Sequence, residues 1–216
     1  VTMKASLFIG MDVHKETIAI ALANRDVGSE VWFYGNVPNK PDVIEKIARK
    51  LSKDAEHACF VYEAGPCGYI IQRQLSALGY ECRIAAPGSI VKKPTDRIKN
   101  DHRDAVGLAR LCRANELTYV WIPDEIHEAM RDLVRARHAT THDVKAAKIR
   151  LQSYLLKYDL RYEGKAWTYR HRVWLTDRSF SQAPQQIVFQ TYLNALEQHE
   201  GRRAQLDEQI RDLIPQ

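Results

Sequence analysis

No stretch of this sequence is apolar for long enough to cross a bilayer. The longest runs, Ser6–Met11 and Ile18–Ala23, fall far short of the roughly 20 residues that a spanning helix needs. The opening residues Val1–Ser6 lead at once into strand-like sequence rather than into a signal peptide's apolar region and cleavage site, so the expected location is the cytoplasm and no membrane partner is expected. The four cysteines (Cys59, Cys67, Cys82, Cys112) form no C-x-x-C pair and have no companion histidine pair, which argues against a zinc site or a disulfide framework and for reduced, mostly buried thiols. There is no internal repeat and no low-complexity tract.

What is present reads as ordinary globular sequence. The chain has 216 residues, 45% hydrophobic and 27% charged, enough for one good-sized domain with an appendage or for two small domains. The net charge of +5 favours an anionic partner without naming one.

Leu7–Val13 reads as a buried strand ending on a carboxylate; Thr17–Asn24 alternates and runs apolar, and Glu30–Tyr34 is rich in β-formers, so the start predicts an antiparallel meander. Pro41 opens a helix carrying Val43, Ile44, Ile47 and Leu51 at helical spacing. His57–Glu63 is a fourth strand, again ending on an acid. A Gly65-Pro66-Cys67-Gly68 turn leads into a helix closed by Gly79, Tyr80–Ala86 is a fifth strand, and Asp101–Ala114 is helical. The order β-β-β-α-β-α-β-α predicts an RNase H-like α/β fold, a mixed sheet flanked by helices, over residues 1–122. Residues 123–216 change character. Apolar residues at 3-4 spacing from Ile126 to Tyr158, interrupted by Arg137 and Thr140, and again from Val188 to Leu213 predict two long helices forming an α-hairpin or coiled coil, either closed on itself or shared with a second copy. Between them lies an aromatic and basic stretch with Tyr162, Trp167, Tyr169 and Trp174, the tryptophans expected to pack in the hairpin.

In the predicted topology Asp12 ends the central strand, Glu63 ends its neighbour, and Asp101 and Asp104 stand three apart at the start of the last helix, hence on one helical face. Each alone fits a structural role, Asp12 in a turn or Asp101 at a helix start. Together they fit the carboxylate cluster that holds hard cations for phosphodiester chemistry, with Mg²⁺ as the expected ion and Mn²⁺ as a substitute. Lys92, Lys93, Arg97, Lys99 and Arg103 crowd the approach to this last helix and read as a phosphate track. His14 alternates to the face of Asp12, the place for a residue that supports the acids or acts as a general base, but an ordinary surface histidine is the expectation.

Three segments, Ile9-Gly10-Met11-Asp12-Val13-His14-Lys15, Tyr62-Glu63-Ala64-Gly65-Pro66-Cys67-Gly68-Tyr69 and Lys99-Asn100-Asp101-His102-Arg103-Asp104-Ala105, resemble the acidic motifs of the DEDD-type insertion-sequence transposases, a family that includes the pilin-gene DNA invertases. Tyr162–Thr168 and His171–Leu175 are similar to its linker region. The resemblance implies a RuvC-like catalytic domain over residues 1–122, a helical coiled-coil linker over 123–216, and Mg²⁺ bound by Asp12, Glu63, Asp101 and Asp104. It implies DNA as substrate, a structured guide (bridge) RNA as partner, and a homodimer or higher oligomer joined through the long helices. The expected nucleic-acid contacts are Lys15, Lys92, Lys93, Arg97, Lys99, Arg103, Arg161, Lys165, Arg170 and Arg172. Family members continue into a C-terminal transposase domain with a serine nucleophile. That domain is missing from this sequence, so strand exchange by residues 1–216 alone is not expected.

Two other readings share these residues: a stand-alone Holliday-junction-type endonuclease using water as nucleophile, and a non-catalytic RNA-binding or assembly module. An actin-like ATPase or sugar kinase is set aside, because Asp12-Val13-His14-Lys15-Glu16 has no glycine and no Gly-rich phosphate loop follows.

Overall fold

A computed structural model of the chain describes residues 6–26, 28–89 and 100–213. Lys92, Lys93, Arg97 and Lys99, expected on a phosphate track, lie outside these. The chain divides into two compact units, residues 1–122 and 123–216. Among the described residues no helix is long and apolar enough to cross a membrane.

The first unit is an RNase H-like α/β fold. Strands β1 (Leu7–Val13), β2 (Thr17–Asn24) and β3 (Val31–Pro38) form the meander; helix α1 (Pro41–Ser52), strand β4 (Ala58–Glu63), helix α2 (Ile70–Ala77), strand β5 (Glu81–Ala85) and helix α3 (Asp101–Ala114) follow. The sheet order is β3-β2-β1-β4-β5, with β1 antiparallel to β2, β2 antiparallel to β3, and β1-β4 and β4-β5 parallel. β3 runs four residues beyond the expected end at Tyr34. The ladder to β2 slips between Ile20 and Ala21, and Gly35, at φ 138°, takes up the irregularity, after which pairing resumes through Val37 and Pro38. The polar Asn36 beyond that glycine disguises the continuation.

The two faces of the sheet are built differently. One is packed with large side chains: Ile9, Met11, Phe60 and Tyr62 meet Ile44 and Ala48 of α1 and Ile71 and Leu75 of α2. Complete burial of each large residue contributes roughly 1.5–3 kcal/mol. The other face is small. Ala19, Ala21 and Ala23 of β2 cluster with Ala105 and Ala109 of α3, and Cys59 and Val61 of β4 meet Leu108 and Cys112. Gly10 of β1 has no side chain to separate sheet from helix. A Cβ there would lie 2.5 Å from the Ala109 nitrogen and closer still to the Ala105 carbonyl oxygen. Helix α3 therefore rests with its backbone against β1 and runs back along it.

The second unit pairs α4 (Glu125–Lys157) with α6 (Ala183–Leu213) in antiparallel fashion around Val144, Ala147, Leu151, Leu155, Phe189, Leu193 and Leu196. A short helix α5 (Tyr169–Thr176), within the stretch read from sequence only as aromatic and basic, adds Leu175 to this core, and Trp167 and Trp174 pack against it. The residues that interrupt the apolar seam are explained by pairing. Arg137 Nε lies 2.6 Å from Asp207 across the hairpin, and Thr140 Oγ1 donates to the Arg137 carbonyl.

The contact at Gly10 generates a paired prediction. Gly10→Ala is expected to cost about 1–3 kcal/mol by overpacking, read as a lower urea midpoint. Gly107→Ala, in the middle of α3 where an added Cβ meets nothing within 4 Å, is expected to stabilise by about 0.5–1 kcal/mol through helix propensity. Equal effects of the two substitutions would show that α3 does not sit on β1 as described.

Candidate metal centre

The last registered pair between the parallel strands β1 and β4 is Met11 with Tyr62. Asp12 and Glu63 follow it side by side, one residue further along each strand. Side chains alternate, so both point to the face that carries Gly10 and Val61, the face covered by α3. Because Ala105 of α3 sits on Gly10, the residues one turn earlier in the helix fall beside the end of β1. Asp104 and Asp101 occupy that turn. Asn100 fixes where the helix begins, its side-chain oxygen accepting from the His102 backbone N–H at 3.0 Å. The positive end of the helix is thereby aimed at the acids.

The β1–β2 turn is clamped as well. The His14 N–H donates to the Thr17 carbonyl at 2.9 Å, and the His14 carbonyl accepts from Asn39 Nδ2 at 2.8 Å. On the Glu63 side, Tyr62 hydroxyl donates to the Gly68 carbonyl at 2.9 Å and pins the Gly65–Gly68 turn, while Ala64 N–H donates to Ala85.

Three donor groups converge here. His14 Nε2 lies 3.1 Å from Asp12 Oδ2 and 3.3 Å from Asp101 Oδ1, and one ligand atom from each of Asp12, His14 and Asp101 lies within 4.8 Å of the others, close enough to share a metal ion. Glu63 is not in that tight group; it lines a cleft of about 760 Å³ with Asp12, His14, Lys15, Asn39 and Cys67. Asp104 acts on Asp12 through its charge. The Asp12 carboxyl is pushed above the ordinary aspartate range, first by burial and further by the charges of Asp104 and Asp101, with His14 opposing. His14, expected at the surface, keeps its side chain 37% exposed and also bridges two of the acids; the alternation of Asp12 and His14 along one strand face was its one signal in the sequence.

Of the expected cationic contacts, Lys15 stands exposed at the cleft beside Glu16 (3.2 Å), and Arg103 is exposed on the first turn of α3. In the second unit Lys165 and Arg170 are exposed, and Arg161 pairs with Asp159 at 2.9 Å. Arg172 is engaged differently from the expectation: its guanidinium lies 2.9 Å from Glu200, which also takes Lys148 at 3.3 Å, so its charge already serves the hairpin. His171 is buried beside it, its Nδ1 accepting from the Trp167 N–H at 3.0 Å. Burial holds its imidazole below the ordinary histidine value, with Arg172 adding to the effect.

Ionising Asp12 costs more in the folded chain than in the unfolded one. Metal-free protein therefore loses stability as pH rises from the unfolded aspartate value of about 3.9 through the raised folded value, and the loss persists above it. Asp12→Asn removes that loss. In chelator the variant is expected to melt above the unsubstituted chain at neutral pH, with the margin closing in mild acid. A lower melting point at neutral pH would mean that Asp12 is a structural partner instead.

The profile of the DEDD transposases of the IS110 type, described as transposase, matches residues 9–159. A protein named as a transposase, y4qE, from Sinorhizobium fredii (strain NBRC 101917 / NGR234) is 43% identical over 184 residues, 85% of this chain and 47% of its own length. The transposase for insertion sequence element IS1533 of Leptospira borgpetersenii is 34% identical over 214 residues, 98% of this chain and 62% of its own length. The chain thus spans about half to three-fifths of the length of these relatives. Among solved structures, T. thermophilus RuvC in complex with a Holliday junction substrate aligns over 53% of this chain and 99% of that chain, at 10% identity and a TM-score of 0.35, a likeness too distant to carry function. With its profile match running from β1 into α4, this chain belongs to the DEDD transposase family of the IS110 type.

Proposed function

We propose that residues 1–122 form the metal-binding catalytic half of a DNA transposase or recombinase, holding Mg²⁺ through Asp12, Glu63, Asp101 and Asp104. The observation that carries this reading is the convergence of Asp12, Asp101 and His14 donor atoms within 4.8 Å at a cleft that Glu63 also lines. The donor set fits a small hard cation: several carboxylate oxygens, partly exposed, leaving room for water and phosphate. A divalent cation held there would supply Lewis-acid chemistry, polarising a phosphodiester and acidifying a hydroxyl or water beside it. The chain's own residues do the rest. Asp12, fixed at the end of the central strand and 15% exposed, anchors the site. Asp101 and Asp104 close it from the helix, and Lys15 and Arg103 meet flanking phosphates. The family resemblance assigns the covalent attack to a serine of a further domain, so these residues prepare the strand rather than capture it.

The partners follow from the same reading. A structured RNA would be met by Arg161, Lys165 and Arg170, beside which Tyr169 is 82% exposed, its ring open to stacking. A second copy would pair along the outer parts of α4 and α6, where Ile126, Val134 and Leu213 are exposed. The proposed location is the cytoplasm.

Branched DNA tests the catalytic reading. With Mn²⁺ present the chain is expected to bind a four-way junction more tightly than in chelator, to lose that gain in Asp12→Asn and Glu63→Gln, and to leave the strands uncut. Binding indifferent to metal would sink the proposal, and turnover by the unaided chain would favour the stand-alone endonuclease. The RNA role has its own readout. Replacing Arg161, Lys165 and Arg170 with alanine is expected to flatten the slope of log K against log salt by roughly two for a structured RNA; an unchanged slope would remove these residues from the interface.

A further inference from the structure

The reading above gives this site four acids, but the group lying between two of them, Asp12 and Asp101, is an imidazole. His14 Nε2 is 3.1 Å from Asp12 Oδ2 and 3.3 Å from Asp101 Oδ1, so one ring nitrogen faces two carboxylate oxygens from two different elements. A single N–H can be directed well at only one of them. The separations also suit another arrangement: donors at roughly 2.1 Å from a six-coordinate ion lie about 3.0 Å apart at adjacent corners. The backbone of His14 is held on both sides, by Thr17 and by Asn39 Nδ2, so the ring is presented from a fixed base rather than from a loose loop.

We propose that His14 is itself a metal ligand, its Nε2 joining Asp12 and Asp101 on one divalent cation, so that the centre carries a mixed nitrogen and oxygen donor set rather than carboxylates alone. The inference rests on the metal-site reading above. It requires the Nδ1–H tautomer, which leaves the Nε2 lone pair free for the ion. An imidazole among carboxylates shifts preference from Mg²⁺ toward transition ions, and Mn²⁺, which also suits carboxylates, accepts a nitrogen donor more readily than Mg²⁺ does. The fixed oxygen donors then set the place of the ion, and His14 sets which ion is preferred.

The test is pulsed electron paramagnetic resonance on the chain loaded with one equivalent of Mn²⁺, alongside Mn²⁺ and Mg²⁺ titrations. The unsubstituted chain is expected to show ¹⁴N modulation of the Mn²⁺ echo, replaced by the ¹⁵N pattern when histidine is labelled with that isotope. In His14→Gln, checked for folding by circular dichroism, the nitrogen coupling disappears. Mn²⁺ affinity then falls by roughly tenfold or more, and the ratio of Mn²⁺ to Mg²⁺ affinity narrows. Mn²⁺ bound without nitrogen coupling, or with coupling unchanged in His14→Gln, overturns the assignment of His14 and leaves the carboxylate site standing. No Mn²⁺ uptake by the unsubstituted chain overturns the metal-site reading together with it.

Discussion

The backbone of α3 lies directly on the backbone of β1 at Gly10, and the placement of the acids depends on that contact. Neither the Ala105 carbonyl nor the Ala109 amide leaves space for a Cβ on the strand. Around it, Ala19, Ala21 and Ala23 keep the same face low, so the helix settles close to the sheet over its length. Small residues bury little apolar area, and the stability of the unit has to come from elsewhere. It comes from the opposite face, where Phe60, Tyr62, Ile71 and Leu75 are fully or nearly fully buried against α1 and α2. One face of the sheet is thick and holds the fold; the other is thin and brings helix-borne carboxylates to a strand-borne one.

That proximity has an electrostatic cost. Asp12 is mostly buried and feels Asp104 and Asp101, which together make its ionised form less favourable than an ordinary aspartate's. Three features of the chain offset this: the helix N-terminus aimed at the cluster, the His14 ring between two of the acids, and the open cleft through which water and ions reach it. A bound cation would complete the compensation. The site is thus least comfortable without positive charge, and the same unmet negative charge that destabilises the free chain would supply affinity for a cation.

Much of this was legible from the sequence, and the reasons differ by element. β1 and β4 announce themselves because they are short apolar runs ending abruptly on acids, and α3 because its acids sit three apart ahead of Ala105, Leu108 and Cys112 at helical spacing. The end of β3 was hidden because Gly35 breaks the alternation and the strand resumes with polar Asn36. Helix α5 was hidden because its pattern is not amphipathic: His171 and Leu175 face inward while Tyr169 and Val173, a turn apart, stay exposed. The role of Arg172 could not be read locally, since its partner Glu200 lies on another helix, and Arg137 with Asp207 poses the same difficulty. In both cases a charge that looks available in the sequence ties two helices together, α4 to α6 through Arg137 and α5 to α6 through Arg172. His14 was undervalued for a related reason: strand alternation places it on the face of Asp12, but only the approach of α3 brings Asp101 to the other side of its ring.

The central claim is that these side chains form one cation site where β1 meets the start of α3. Crystals of the chain soaked in Mn²⁺ at near-neutral pH, measured at a wavelength where manganese scatters anomalously, test it most directly. The account predicts an anomalous peak between Asp12 and Asp101 within bonding distance of His14 Nε2, on the side of the cleft lined by Glu63. A map at saturating Mn²⁺ with no peak among these residues, or with peaks only elsewhere on the chain, would contradict it.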